Sequence, residues 1–145
     1  MKITVEHVPV EENEVVLRCP ALDDEMLRVL SLLRAELQRL CVWDAERRLH
    51  LLSPSQLIYA ETVEDRTFVY TAGAMYQTAL GLGDLESRFG AAGLFRAGKS
   101  TVVNLHHIKS LESCGAGRIR ADLVTGERLM VSRRYAPLLR ERLGL

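Results

Sequence analysis

The chain has 145 residues, of which 48% are apolar and 26% charged, and its 19 basic residues balance 19 acidic residues. This size and composition are typical of one globular domain and exclude a disordered or collagen-like chain. No apolar run approaches the roughly 18 residues that span a bilayer, and the start MKITVEHV lacks the pattern of a signal peptide, so we expect a cytoplasmic protein.

The first 47 residues are predicted to form a small extension of two strands and a helix. KITVEHV and EVVLRC are predicted as short strands, separated by the polar stretch PVEEN. Residues 22–40 are predicted as a helix, because acidic residues at its start suit the helix dipole and apolar residues recur at spacings of four and three. The apolar seam consists of Met26, Leu30, Leu33, Leu37 and Leu40. Such a seam packs on its own chain or on a second one, so the extension is a candidate for dimerisation or control by a partner.

Residues 48–145 are predicted to form an α+β domain that is mainly β. From residue 41 the sequence consists of short stretches rich in β-branched or aromatic residues, with turn signals between them. Two short helices are predicted at residues 82–89 and 135–143, the second with Ser132 as a candidate N-cap and Gly144 beyond its end. The predicted strands are CVWDA, RLHLL, LIYAETV, RTFVYT, MYQTAL, HIKSLES, RIRADLV and ERLMVS.

The neutral total charge conceals an uneven distribution. Residues 1–93 contain nine Lys and Arg against fifteen Asp and Glu, whereas residues 94–145 contain ten against four. The C-terminal third is therefore a basic segment on an acidic carrier, which favours an anionic partner for one face of the protein.

The stretch GLFRAGKS, from Gly93 to Ser100, matches the P-loop pattern G-x-x-x-x-G-K-[ST]. A P-loop requires a strand before the first glycine and a helix after the lysine, because the helix N-terminus holds the phosphates. Here the order is reversed, since DLESRFGAAG is predicted as a helix and TVVNL as a strand. A nucleotide binder is kept only as an alternative.

The remaining reactive side chains predict neither a cofactor nor catalysis. Cys19, Cys41 and Cys114 are well separated without CxxC spacing, so we expect buried thiols rather than a disulfide or a zinc site. His106 and His107 are adjacent, and on a strand they would point in opposite directions. No nucleophile motif is present, so we expect no metal, no cofactor and no enzyme.

FRAGKSTVVNLHHIKSLES, residues 95–113, closely resembles the signature of the LytTR DNA-binding domain, in which a Phe, a basic residue and a Ser precede a Val-Asn pair and an Ile. Three further blocks agree in order: LIYAE at 57–61, the Leu-Glu helix at 82–89, and LMVSRRY at 129–135. The resemblance covers about residues 48–143. It implies an elongated arrangement of small antiparallel β-sheets that places loops, rather than a recognition helix, into the DNA grooves.

The resemblance implies DNA contacts in three segments of the chain. Arg134 has the fork geometry for a guanine edge, and Lys99 suits a base or a phosphate. The acidic Glu64 departs from the family pattern. Its carboxylate repels phosphate unless it accepts a hydrogen bond from a cytosine amino group. Whether it and its neighbour contact bases stays open. The residues implicated are Asp65, Arg66, Arg96, Lys99, Ser100, Arg133 and Arg134.

The resemblance also implies partners. Most family members carry an N-terminal receiver domain, for which this chain is too short, so it resembles a stand-alone bacterial transcriptional regulator. Regulators of this type are frequently bound by a small membrane protein that acts as an antagonist. Because a few phosphate contacts leave one protomer weak at physiological salt, we expect a homodimer on double-stranded DNA. The resemblance implies that the two sites of its operator are direct repeats. A protein-interaction module that keeps the fold without DNA binding is the alternative. The expected phosphate contacts are Arg66, Arg96, Lys99, Lys109, Arg133 and Arg134.

Overall fold

The computed structural model describes residues 1–145 and contains ten strands and three α-helices, so the predicted α+β, mainly β class is confirmed. None of the helices has the length and hydrophobicity to cross a lipid bilayer. The elements are α1 (Asp24–Leu37), β1 (Leu40–Trp43), β2 (Leu49–Leu52), β3 (Tyr59–Val63), β4 (Arg66–Tyr70), β5 (Met75–Thr78), α2 (Leu82–Phe89), β6 (Leu94–Gly98), β7 (Thr101–Asn104), β8 (Ile108–Ser113), β9 (Ile119–Leu123), β10 (Arg128–Val131) and α3 (Ala136–Leu143).

The strands form two sheets in which every neighbouring pair is antiparallel. The larger sheet has seven strands in the order β2-β1-β5-β4-β3-β7-β6, and the smaller has the order β10-β9-β8. The two sheets meet where Ser132, just after β10, donates its backbone N–H to the carbonyl of Ala97 on β6 at 2.9 Å. The strand β2 therefore remains at the other end of the large sheet with a free edge.

Two cores lie on opposite faces of the large sheet. The period-two alternation of strand side chains explains this division. On β6, Leu94 contributes to the core beneath α2, whereas Phe95 contributes to the core against the small sheet and α3. On β7, Val102 and Val103 divide in the same way. The paired β6 and β7 are thus covered on both faces, which fixes the turn that joins them.

The predicted N-terminal strands are absent. Residues 1–23 contain no helix or strand, and every one of them is exposed. The prediction of a strand-strand-helix extension is therefore wrong for its two strands. A strand or an isolated hairpin is at best marginally stable without a further sheet or helix to pack against, and this segment finds none in the single chain.

The predicted helix is present as α1, shorter than expected. Asp23 is its N-cap, with a carboxylate that accepts a hydrogen bond from the N–H of Met26 at 2.9 Å. Met26 is buried and Leu30 and Leu33 are half-buried where α1 lies against α2 and the 3-10 turn Gly90–Ala92. The start of the seam thus packs on its own chain. Leu40, predicted as the last residue of the seam, lies in β1 instead.

The eight strands set out above from residue 41 onward are all present, as β1–β5 and β8–β10, and the predicted strand TVVNL is present as β7. Because β1 pairs with β2 and with β5, the large sheet begins at Leu40. The strand β6 was not predicted. The predicted terminal helix is present as α3, but its N-cap is Tyr135 rather than Ser132. The carbonyl of Ser132 accepts hydrogen bonds from the N–H groups of Tyr135 and Ala136 in the turn before the helix.

The expected burial of the thiols is wrong. Cys19 and Cys41 are exposed, and Cys114 is only partly covered. The adjacent histidines lie on the 3-10 turn Leu105–His107 rather than on a strand.

Candidate nucleic-acid interface

Two hairpin turns lie side by side at one end of the large sheet. β3 and β7 are antiparallel neighbours, with Glu61 opposite Thr101. The β3–β4 turn and the β6–β7 turn therefore emerge at the same end. A backbone hydrogen bond of 3.0 Å from the N–H of Thr62 to the carbonyl of Ser100 joins them. The structure thus brings together two of the three segments that the resemblance implicates.

The β3–β4 turn has two residues, Glu64 and Asp65, with φ of 50° and 63°. Two successive positive φ values are typical of a type I′ turn, which matches the twist of a hairpin. Val63 and Arg66 are paired on either side of it, so Arg66 is the first residue of β4 and is exposed. Both carboxylates and this guanidinium consequently project from the tip of the hairpin.

The β6–β7 turn is shaped by Arg96. Its Nε donates to the carbonyl of Gly98 and its Nη2 to the carbonyl of Lys99, each at 2.8 Å, and its Nη1 lies 4.0 Å from a carboxylate oxygen of Glu86. Lys99 and Ser100 are exposed at the tip. The guanidinium of Arg96 is therefore committed to its own turn, where it fixes the position of Lys99. A direct phosphate contact by Arg96 stays a prediction.

The segment after β10 lies beside this turn, because Ser132 is bonded to Ala97. Arg133 and Arg134 are exposed in the turn that leads to α3. The guanidinium carbon of Arg134 lies 5.4 Å from the centre of the Tyr135 ring, a cation–π distance. The ring restricts the orientation of a side chain that has the geometry to recognise a guanine edge.

A fourth turn, between β8 and β9, joins the same end. It has three consecutive positive φ values, at Gly115, Ala116 and Gly117. A Cβ at Gly117 would lie 2.8 Å from Cγ of Arg133, so the glycine permits close packing with the neighbouring turn. Arg118 follows it and is exposed. The sequence analysis did not assign Arg118 to DNA, and only the register of Ile119 opposite Val131 places it here.

We call these four turns, comprising residues 64–66, 99–100, 114–118 and 132–135, the basic end. It contains five exposed cations that form no ion pair and two carboxylates, Glu64 and Asp65. Lys109 is not part of it, because it lies at the start of β8, about 15 Å from the turn by strand rise. The five cations are Arg66, Lys99, Arg118, Arg133 and Arg134.

The asparagine of the resemblance motif lies at the opposite end of β7 and is structural. Asn104 is fully buried, and its Nδ2 donates to the carbonyls of Leu57 at 2.8 Å and Pro54 at 3.3 Å. Its Oδ1 accepts from the N–H of His106 at 3.0 Å. It therefore fastens the segment before β3 to the end of β7 rather than contacting a ligand.

The P-loop alternative is wrong. Lys99 lies in a hairpin turn that leads into the strand β7, so no helix N-terminus is available to hold phosphates. Gly93 follows a 3-10 turn and has φ of 110°. No three His, Cys, Asp or Glu side chains are grouped to hold a metal ion.

The fold and the basic end define a mainly β domain that presents positively charged turns. Residues 47–144 match the family model of the LytTr DNA-binding domain, and the chain belongs to this family. It is thus a DNA-binding regulatory domain, and the family is not one of enzymes.

A solved structure supports the same fold. It is the LytTr DNA-binding domain of a Bacillus cereus protein described as a methyl-accepting/DNA response regulator, with a TM-score of 0.70 and 22% identity over 74% of this chain and 98% of that chain. No curated protein matches the chain.

Proposed function

We propose that the chain is a bacterial transcriptional regulator that acts in the cytoplasm and binds duplex DNA sequence-specifically through the basic end. The observation that supports this most directly is the convergence of four turns with five unpaired cations, in a chain whose total charge is zero. Cations without protein partners are free to replace the counterions of DNA phosphates, which is the main source of affinity for the duplex.

The side chains of the basic end divide by geometry. Arg134, held against Tyr135, is the candidate for bidentate recognition of guanine, and Lys99 at the hairpin tip suits a base or a phosphate. Arg66, Arg118 and Arg133 suit phosphate contacts, which set the position of the protein on the duplex. Ser100 can donate its hydroxyl to a phosphate in the same way. The role of Asp65 depends on a cytosine amino group lying within reach.

The proposal is tested by fluorescence anisotropy on a selected operator at several salt concentrations. Lys99→Ala and Arg134→Ala are each expected to weaken specific binding by roughly 1 to 3 kcal/mol. Arg34→Ala is the matched control, because Arg34 is exposed on α1, away from the four turns. Parent-like binding by either variant would remove that residue from the interface. Affinity that does not depend on salt would instead favour the protein-interaction alternative.

We further propose that two protomers bind direct repeats. One protomer makes few phosphate contacts, which gives weak binding at physiological salt. Inserting about half a turn, roughly 5 base pairs, between the repeats is expected to abolish cooperative binding, and a full turn to restore it. Identical affinity and cooperativity on all three operators would refute the paired-protomer model and indicate a monomeric binder. The small membrane-bound antagonist implied by the family resemblance stays a prediction.

A further inference from the structure

The N-terminal segment, residues 1–22, exposes apolar side chains that do not pack in a core. Nine of the 21 exposed large hydrophobic residues lie within residues 1–22. Ile3 is 89% and Val5 78% exposed, and they alternate with the polar Thr4 and Glu6. This period-two pattern is that of a strand with one apolar face. A segment with this pattern and no sheet to join leaves its apolar face exposed to water in the single chain.

The large sheet has a matching unpaired edge. β6, at one end of the sheet, is joined to the segment after β10, whereas β2, at the other end, has no strand beyond it. Leu49 and Leu51 on β2 are 71% and 65% exposed. They lie opposite Trp43 and Cys41 on β1, so the apolar row continues onto the next strand. Natural proteins usually protect such an edge, because it pairs readily with another chain.

We propose that residues 2–8 of a second copy add to β2 as an extra strand. The added strand would place Ile3 and Val5 on the same face as Leu49 and Leu51, and its backbone would satisfy the free edge. This deepens the dimeric part of the proposed function and rests on it. The remainder of residues 1–22 then acts as a tether between the two domains.

The occupant is a second copy rather than the same chain. α1 holds the start of the fold against α2, and α2 lies on the face opposite to the row of Leu49 and Leu51. All residues of the segment are exposed in the single chain, and β2 pairs only with β1. Reciprocal exchange of the two segments closes the assembly at two copies.

The tether reconciles a closed dimer with direct repeats. Residues 9–22 contain no helix or strand, and fourteen extended residues span at most about 50 Å. Each domain can therefore take the same orientation as its partner on one face of the duplex while the exchanged strands remain paired. The exchange does not use the seam of α1, the start of which already packs on its own chain.

The first test measures the dimer dissociation constant of the full chain by sedimentation velocity. Leu51→Lys places a charge on the edge strand, and Val5→Pro removes a backbone donor from the segment. Each is expected to raise the dimer dissociation constant at least tenfold. Val124→Lys is the control, since Val124 is similarly exposed but lies after β9. A monomeric parent, or a parent-like dimer in both variants, overturns the proposal.

Half-site DNA binding separates this proposal from the proposed function. Both residues lie outside the basic end, so the variants are expected to bind a single half-site like the parent, which also shows that they fold. Failure of the parent to bind DNA would refute the proposed function while leaving the dimer measurement valid.

The second test identifies the occupant by cross-linking. Val5→Cys and Leu51→Cys are made in separate chains in which the three native cysteines are replaced by serine. Mixing them under oxidising conditions is expected to give a heterodimeric disulfide, in excess of either protein alone. A disulfide that forms only within one chain carrying both substitutions would show that the segment docks on its own sheet, and no disulfide in either case would exclude pairing at β2.

Discussion

Replacing Asn104 separates the structural part of the LytTR motif from its DNA-binding part. The side chain makes two well-formed hydrogen bonds, with the carbonyl of Leu57 and the N–H of His106, and a longer one with the carbonyl of Pro54. It is fully buried, so the groups it leaves behind in Asn104→Ala lie in or near the core. The substitution is therefore expected to affect folding rather than binding.

The magnitude follows from these contacts. Each of the two good hydrogen bonds contributes about 1 kcal/mol net, and a buried carbonyl left without a donor costs roughly a further 1 to 3 kcal/mol. The expected loss of unfolding free energy is thus about 3 kcal/mol, which for a chain of this size lowers the melting temperature by about 10 °C. Asn104→Asp should be no better, because a carboxylate oxygen would then face the carbonyl of Leu57.

The assay is urea unfolding followed by circular dichroism, together with DNA binding at a temperature where the variant is folded. Asn13→Ala is the control, because Asn13 is exposed outside every helix and strand and its loss should change stability by less than about 0.5 kcal/mol. Lys99→Ala should show the opposite pattern, with unchanged stability and weakened binding. A loss below about 1 kcal/mol in Asn104→Ala, about that of a single hydrogen bond, would refute this assignment.

Gly93→Ala is expected to cost at least 1 to 3 kcal/mol, roughly the cost of backbone strain, because φ is 110° and the new Cβ would lie 2.6 Å from an imidazole carbon. Gly98→Ala, with nothing within 4 Å, should be neutral in the same denaturation assay. Arg96→Lys replaces the planar fork, in which Nε and Nη2 each donate to one turn carbonyl, by a single flexible ammonium. Hydrogen exchange at the β6–β7 turn should therefore accelerate and specific DNA binding weaken; unchanged exchange would contradict the positioning role. Burial and the hydrogen bond to Glu61 raise the pKa of Tyr70 in the folded protein above its ordinary value of 10. The protonated hydroxyl therefore stabilises the fold fully below pH 10, and this contribution is lost as the pH rises through the pKa of the folded state. Tyr70→Phe should therefore reduce the alkaline loss of stability, measured by unfolding at stepped pH with tyrosinate absorbance as the direct readout.

Strand periodicity was sufficient to predict most of the fold. Nine strands and all three helices were predicted from their patterns of apolar residues and from the turn residues between them. The strand β6 was missed because it is covered on both faces and includes a bulge after Arg96, which interrupts the alternation.

The site was only partly predictable, because its members converge through pairing between strands distant in sequence. The motif resemblance led to Lys99 and Arg134, but Arg118 enters the basic end only through the register of β9 with β10. The same cause separates Lys109 from it. Nor could composition reveal which arginines are free, since Arg120 and Arg128 are paired with carboxylates on neighbouring strands.

The N-terminal segment shows what a local pattern can and cannot specify. Alternation in residues 2–8 determines that a strand would have one apolar face, but a strand forms only when another edge supplies its hydrogen bonds. The chain contains such an edge at β2 and leaves both features unpaired when alone. The strand prediction is therefore wrong for a single chain, because no edge pairs with residues 2–8. For the same reason, we expect these residues to become a strand only when a second chain supplies that edge. If residues 2–8 acquire strand structure, they should do so with the same concentration dependence as dimer formation.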